Sequence, residues 1–257
     1  MKILIFILAF VFTSSTHLNT QKWGKTGHRV VGAIAEEYLT DDAEDAIDQI
    51  LGDQSMAIAS IWMDQIKSDS SWDYTHPWHW VTIAPGKTYR ETPKNPESDI
   101  IKAIRTIIDD LKAGNLSAQD EAQKLKMLIH LIGDIHMPLH VGNGKDRGGN
   151  AVDVTWFWDH SNLHRVWDSG IINETLLSYT ELTESINHPT KEQINQWQNS
   201  TVLDWAYESR ALHDAVYDLP EDHEINYDYM YHNYPIIQKR LLQAGVRLAG
   251  VLNEIYG

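Results

Sequence analysis

The chain has 257 residues, enough for one substantial core, and its 42% hydrophobic and 22% charged content excludes wholesale disorder. It contains no cysteine, which excludes a disulfide framework, a lipid-anchored cysteine and any thiolate metal site. A formal net charge of −15 lacks the basic footprint usual in nucleic-acid binders, so binding of that kind requires a local source of positive charge.

Met1-Lys2, the apolar run Ile3 to Phe12 and the polar stretch that follows read as a secretory signal peptide over residues 1–22. The run is shorter than the roughly 20 residues that span a bilayer. The expectation is therefore an exported protein, secreted or periplasmic, with one domain over 23–257 and no membrane association after processing. Loss of Lys2 and Lys22 leaves 36 acidic against 19 basic residues, or −17. Three N-x-[ST] triplets begin at Asn115, Asn173 and Asn199.

Gly27 to Leu39 places Val30, Val31, Ile34, Ala35 and Tyr38 on one helical face. Thr40 or Asp41 caps a second helix that runs to Leu51 and ends at Gly52. Helical patterns also cover Ser55 to about Lys67, Ser98 to Ala113 and Ala118 to Ile135, the last halted near Met137 by Pro138. Trp78 to Ile83 and Ala151 to Phe157 alternate as short strands, with the glycine-rich loop Val141 to Asn150 between them. Two long helical patterns, over 190–218 and 234–256, complete a single, mainly α domain.

The thirteen histidines concentrate in a few segments. His130 and Asp134 sit four apart, so both leave one helical face within reach of one ion. His140 follows the proline break, and His164 and Asp168 repeat the same spacing. Asp64, His79 and His28 are further candidates. A lone His-x-x-x-Asp pair is more often an ordinary surface pair than a ligand set. Here the flanks MLIHLIGDI and NLHRVWD are apolar, and no Lys or Arg on the same face balances Asp134. A metal cation would. Imidazole and carboxylate without thiolate favour zinc, with manganese or iron as alternatives, and the spacing leaves the number of ions open. Lys67, one turn after Asp64, is placed to meet negative charge developing on a phosphate ester, or else is a solvated surface lysine. His136, two residues from Asp134, points to another face and reads as structural.

Six segments together, Trp23-Gly-Lys-Thr-Gly-His28, Trp62-Met-Asp64, Trp78-His79-Trp80-Val81, His130 through Pro138 to His140, Asp146-Arg-Gly-Gly-Asn150 and Leu163-His164 through Asp168, resemble the zinc-dependent single-strand-specific nucleases of the S-one/P-one and mung-bean type. The resemblance spans essentially all of residues 23–257. It implies a mainly α fold with one or two short β-hairpin segments around three zinc ions, a plan shared with zinc-dependent phospholipase C. By carry-over, one ion is held by Asp64, His79, His130 and Asp134, and a second by His140, His164 and Asp168. The third takes His28, Asp134 as a bridge, and the amino nitrogen and carbonyl oxygen of Trp23 as the mature N-terminus. Asp64 and Lys67 fall at the catalytic positions, and Trp80, Thr82 and Asn150 at the substrate-binding ones, Thr82 standing where the family often has Asp or Asn. The implied reaction hydrolyses phosphodiesters of single-stranded DNA and RNA to 5′-nucleotides, with 3′-nucleotidase activity and no protein partner. The bound ions then supply the local positive charge that the composition lacks. A phospholipase C is the rival enzyme, and a non-catalytic zinc-binding protein the rival of another class.

Overall fold

A computed structural model describes residues 24–257; the expected signal peptide and the Trp23 ligand lie outside the described residues. The first helices are α1 (Lys25–Glu36), α2 (Asp41–Leu51), α3 (Met56–Ala59) and α4 (Trp62–Gln65), followed by 3-10 turns over Ile66–Ser68 and Ser70–His79 and strand β1 (Val81–Thr82). Helices α5 (Ile100–Ala113) and α6 (Ala118–His136) lead into a 3-10 turn, Pro138–His140, and strand β2 (Val141–Gly142). Strands β3 (Asp153–Trp156) and β4 (Asp159–Asn162) form a hairpin ahead of α7 (Leu163–Arg165), the π-helical turn Val166–Gly170 and α8 (Ile171–Glu174). The remainder is α9 (Tyr179–Ile186), α10 (Lys191–Gln198), α11 (Val202–Ala211), α12 (His213–Val216), β5 (Glu224–Ile225) and α13 (Tyr227–Tyr256).

The mainly α expectation holds. The β structure is one hairpin, β3–β4, extended by parallel pairing of β3 with β5, and a separate parallel pair of β1 with β2. Helix α6 lies at the centre, packed by α5, α13, α1 and α11, and every residue from Met127 to His136 is buried. That explains its composition: its C-terminal half must be apolar all round, so any polar residue there needs a dedicated partner.

Several boundaries depart from the periodic patterns. The single helix expected over Ser55 to Lys67 is broken into α3, α4 and a 3-10 turn. Ser60 folds its hydroxyl back onto the Ala57 carbonyl at 2.7 Å, and its own carbonyl accepts the Nδ1–H of His130, also at 2.7 Å. The Trp78–Ile83 strand shrinks to Val81–Thr82, because the chain stays in 3-10 conformation through His79. The long pattern over 190–218 divides into α10, α11 and α12, with capping boxes at Thr190 and Thr201 starting the first two. By contrast α13 starts at Tyr227 and passes through Pro235. Tyr231 and Pro235 both lie on its exposed side, so the carbonyl that loses its partner faces water.

Candidate metal centre

The site is built on the buried C-terminal half of α6. His130 and Asp134 leave the same face, with His130 Nε2 3.3 Å from Asp134 Oδ2. Met137 adopts φ −79°, ψ 119°, which ends the helix and carries His140 back over its end. Helix α1 delivers His28, whose ring stacks on His130 at 3.8 Å and whose Nε2 lies 3.4 Å from Asp134 Oδ1. Gly133 makes room for it: a Cβ there would stand 2.9 Å from His28 Nδ1. Glycine inside a helix costs about 1 kcal/mol relative to alanine, and this close approach is what it permits.

His79, at the end of its 3-10 turn, places Nδ1 2.7 Å from Asp134 Oδ2. Asp64 on α4 has Oδ1 3.9 Å from His130 Nε2 and is hydrogen-bonded by Lys67. On the far side of Asp134, His140 Nε2 is 3.6 Å from Asp168 Oδ1, and the His140 and His164 rings stack at 5.2 Å. Three sets have donor atoms within 4.8 Å of one another: His28, Asp64 and His130; His79, His130 and Asp134; and His140, His164 and Asp168. All eight candidate ligands in the described chain therefore converge, with His130 and Asp134 at the middle.

Backbone carbonyls set the orientation of three imidazoles. His130 Nδ1 donates to Ser60 O, His140 Nδ1 to His79 O and His164 Nδ1 to Gly148 O, each at 2.7 Å. A carbonyl only accepts, so each Nδ1 carries the proton and the lone pair falls on Nε2. These carbonyls are functional groups that side-chain spacing did not reveal. Two of them had a signal in the sequence, Ser60 two residues before Trp62 and the Gly148-Gly149 step, and the His79 carbonyl had none.

The electrostatics are lopsided. Among the described residues, the ion-pair partners of Asp134 and Asp168 are imidazoles alone, and a lysine reaches only Asp64. Burial alone would raise Asp134, but His140, His130 and His28 hold it well below the usual carboxylate range. Asp64 is likewise lowered, by His130, Lys67 and His28 acting against burial. Burial pushes Asp168 up to about 7, with the His140 ring working the other way. His28 is lowered to about 4 by burial and by neighbouring His130, despite Asp134. Both oxygens of Asp168, Oδ1 of Asp134 and Nε2 of His130 are buried without a hydrogen-bond partner. Such atoms are costly unless something else meets them, and a divalent cation is the group that suits acidic oxygens and imidazole lone pairs together.

Two of the expected substrate residues lie at β1. Trp80, 42% exposed, precedes β1, and Thr82 lies within it. Thr82 abuts the Gly142–Gly144 segment: a Cβ on Gly144 would sit 3.2 Å from Thr82 Cγ2, and one on Gly142 would sit 3.6 Å from Gly148 N. Asn150 is exposed, and its Nδ2 donates to the Arg147 carbonyl at 2.9 Å. The Gly24 N–H donates to the Asp168 carbonyl at 2.5 Å, which places the residue before α1 beside a candidate ligand. His136 does not join the cluster. Its Nδ1 donates to Ile132 O at 2.7 Å, and its Nε2 accepts from Arg247 at 2.9 Å on the opposite face of α6.

Comparison with known proteins identifies the family. The S1/P1 Nuclease family model matches residues 23–257. Endonuclease 4 of Arabidopsis thaliana is 32% identical, over 91% of this chain and 89% of its own length. Nuclease S1 of Aspergillus oryzae is 27% identical over 92% of each chain, and Nuclease P1 of Penicillium citrinum is 27% identical over 91% of this chain and 98% of its own. With the match covering every element from α1 to α13, the chain belongs to the S1/P1 nuclease family, hydrolases that act on the phosphodiester bonds of single-stranded nucleic acids.

Proposed function

We propose that the protein is an exported, zinc-dependent endonuclease that cleaves single-stranded DNA and RNA to 5′-nucleotides and also removes 3′-phosphates from nucleotides. The observation that carries this reading is the nest of buried carboxylates and lone-pair-bearing imidazoles in which, among the described residues, a lysine meets only Asp64, with the exposed Trp80 next in the chain to His79. The donor set fits zinc, since it offers imidazole and carboxylate and no thiolate. His28, Asp64, His79, His130, Asp134, His140, His164 and Asp168 would hold three ions, with Trp23 completing the set as N-terminal residue. The Gly24 amide bound to the Asp168 carbonyl supports that placement. When bound, zinc supplies Lewis acidity toward the phosphate and lowers the pKa of the attacking water.

The chain's own residues do the rest. Asp134, between the donor groups, sets their relative position. Lys67 is half-exposed and bonded to Asp64, so its ammonium can shift to a phosphate oxygen as negative charge builds on phosphorus. Trp80 offers a face on which any base stacks, a mode that suits unpaired strands. Thr82 and Asn150 present hydrogen-bonding groups to the edge of that base.

The test is hydrolysis of matched single-stranded and duplex oligonucleotides, with phosphatidylcholine vesicles as a parallel substrate. Cleavage of the single strands, products ending in 5′-phosphate, and loss on chelation with recovery by zinc are expected. Turnover of the vesicles alone would instead identify a phospholipase, and zinc-loaded protein inert on every substrate would identify a binding protein.

A further inference from the structure

The segment Asp146-Arg-Gly-Gly-Asn150 contributes one expected substrate residue, but its geometry assigns a role to another. Arg147, Gly148 and Gly149 have φ of 58°, 63° and 78°, three consecutive residues in the left-handed region. A non-glycine residue there is uncommon, and such a run persists only where its surroundings impose it. Asp146 imposes it. Its Oδ1 accepts the Gly149 N–H at 3.0 Å, its Oδ2 accepts Asn143 Nδ2 at 2.9 Å, and its backbone carbonyl accepts the Ala151 N–H at 3.0 Å. Asn143 Nδ2 also lies 3.2 Å from the Tyr217 hydroxyl. Against burial, the Gly149 amide, Asn143 and Tyr217 keep the Asp146 carboxyl below its ordinary value, so it acts as an anion.

The loop held in this way serves two candidate ligands. Gly148 turns its carbonyl onto His164 Nδ1 at 2.7 Å, and Gly149 accepts the His164 backbone N–H at 3.3 Å. Gly148 also lies so close to Leu139, next to His140, that a Cβ would stand 2.3 Å from the Leu139 carbonyl. From the other side His213 Nε2 donates to the Pro138 carbonyl at 3.0 Å, and the His213 and Tyr217 rings pack at 5.4 Å. One network therefore runs from Asp146 through Asn143, Tyr217 and His213 to the turn that carries His140, and through Gly148 to His164.

We infer that Asp146 is a positioning residue for the His140, His164 and Asp168 group alone: its carboxylate locks the 146–150 loop so that the Gly148 carbonyl fixes the tautomer and direction of His164. This rests on the metal-centre reading above. None of the other candidate ligands contacts this loop in the hydrogen bonds described, so the effect is confined to one ion.

The test combines Asp146→Asn with the exchange Asn143→Asp/Asp146→Asn. Asparagine at 146 turns an N–H2 group toward Asn143, donor against donor, while the exchange restores an acceptor opposite a donor and leaves the Gly149 N–H its oxygen. Zinc is titrated out of each protein with a graded chelator while bound metal and thermal unfolding are followed. In Asp146→Asn one ion per chain is expected to dissociate with about 10–100-fold weaker affinity, the others unchanged, and the exchange is expected to restore it. Equal weakening of every ion, or a lowered unfolding temperature with unchanged metal affinity, would overturn the inference and leave Asp146 a stability residue. A wild-type chain that binds no zinc would overturn the metal-centre reading itself.

Discussion

The two faces of α6 treat buried charge in opposite ways. On one, His130 and Asp134 belong to a cluster whose buried acids, among the described residues, pair with imidazoles, apart from Lys67 at Asp64. On the other, the helix end is gripped by buried cations. Arg240 donates to the His136 carbonyl at 3.0 Å and to Glu208 at 2.6 Å, and Arg247 meets both Glu208 oxygens at 2.7 Å and His136 Nε2 at 2.9 Å. Ser209 adds a bond to the Ile135 carbonyl at 2.6 Å. The second face pairs its acid with guanidinium groups of the same chain, leaving Arg247 Nε without a partner, and it satisfies carbonyls that the end of α6 leaves open. The first offers donor groups that could hold a metal ion. A clamp of two arginines on one glutamate thus backs the face that carries the candidate ligands.

The largest break in this contrast is expected at Asp134, which lies between the donor groups. Asp134→Asn should lower kcat/KM on oligonucleotides on the order of 10³-fold and reduce bound metal, with the fold retained because the clamp is untouched. Steady-state kinetics and metal analysis on the same preparation check it. Glu208→Gln should do the reverse. It strands two buried guanidinium groups and should cost about 3 kcal/mol in denaturant unfolding, the low end for a broken buried pair because Glu208 is itself 40% exposed. Metal content at low temperature should not change. The acid limb of stability follows the same residue. Burial notwithstanding, Arg247 and Arg240 hold the Glu208 carboxyl below its ordinary 4.5. Its contribution is therefore complete above that pH and lost as the pH falls through the lower folded value, where wild type and Glu208→Gln should converge.

Trp80→Ala touches neither face and should raise KM for single strands by about 10–100-fold, the stacking of one base, with kcat moving less. The smallest expected effect separates groups within the metal face. Asp168, raised to about 7, carries a proton below that pH which an ion must displace. Zinc affinity at His140, His164 and Asp168 should then fall about tenfold per pH unit below 7 from this carboxyl alone. His28, lowered to about 4, stays neutral over the same range and adds no such penalty. Zinc titrations at two pH values should show one ion lost before the others.

Much of the metal face was legible in the sequence because it rests on short-range rules. Four-residue spacing put His130 beside Asp134, Pro138 marked the turn to His140, and apolar flanks marked burial. The clamp was not legible. Glu208, Arg240 and Arg247 are far apart from α6 in sequence, and each alone looks like an ordinary surface charge. The same limit explains the break at Ser60, where a tertiary bond to His130 outweighs an unbroken helical pattern, whereas α9 had a local signal in its Ser178–Glu181 capping box that the periodic reading passed over.

The most direct test is the zinc count of the folded, processed chain by native mass spectrometry, alongside N-terminal sequencing. Three ions per chain, with Trp23 at the N-terminus, are expected, falling in Asp134→Asn while the fold persists. A folded chain that stays metal-free after equilibration with zinc, or that cleaves single strands in excess chelator, would contradict the account.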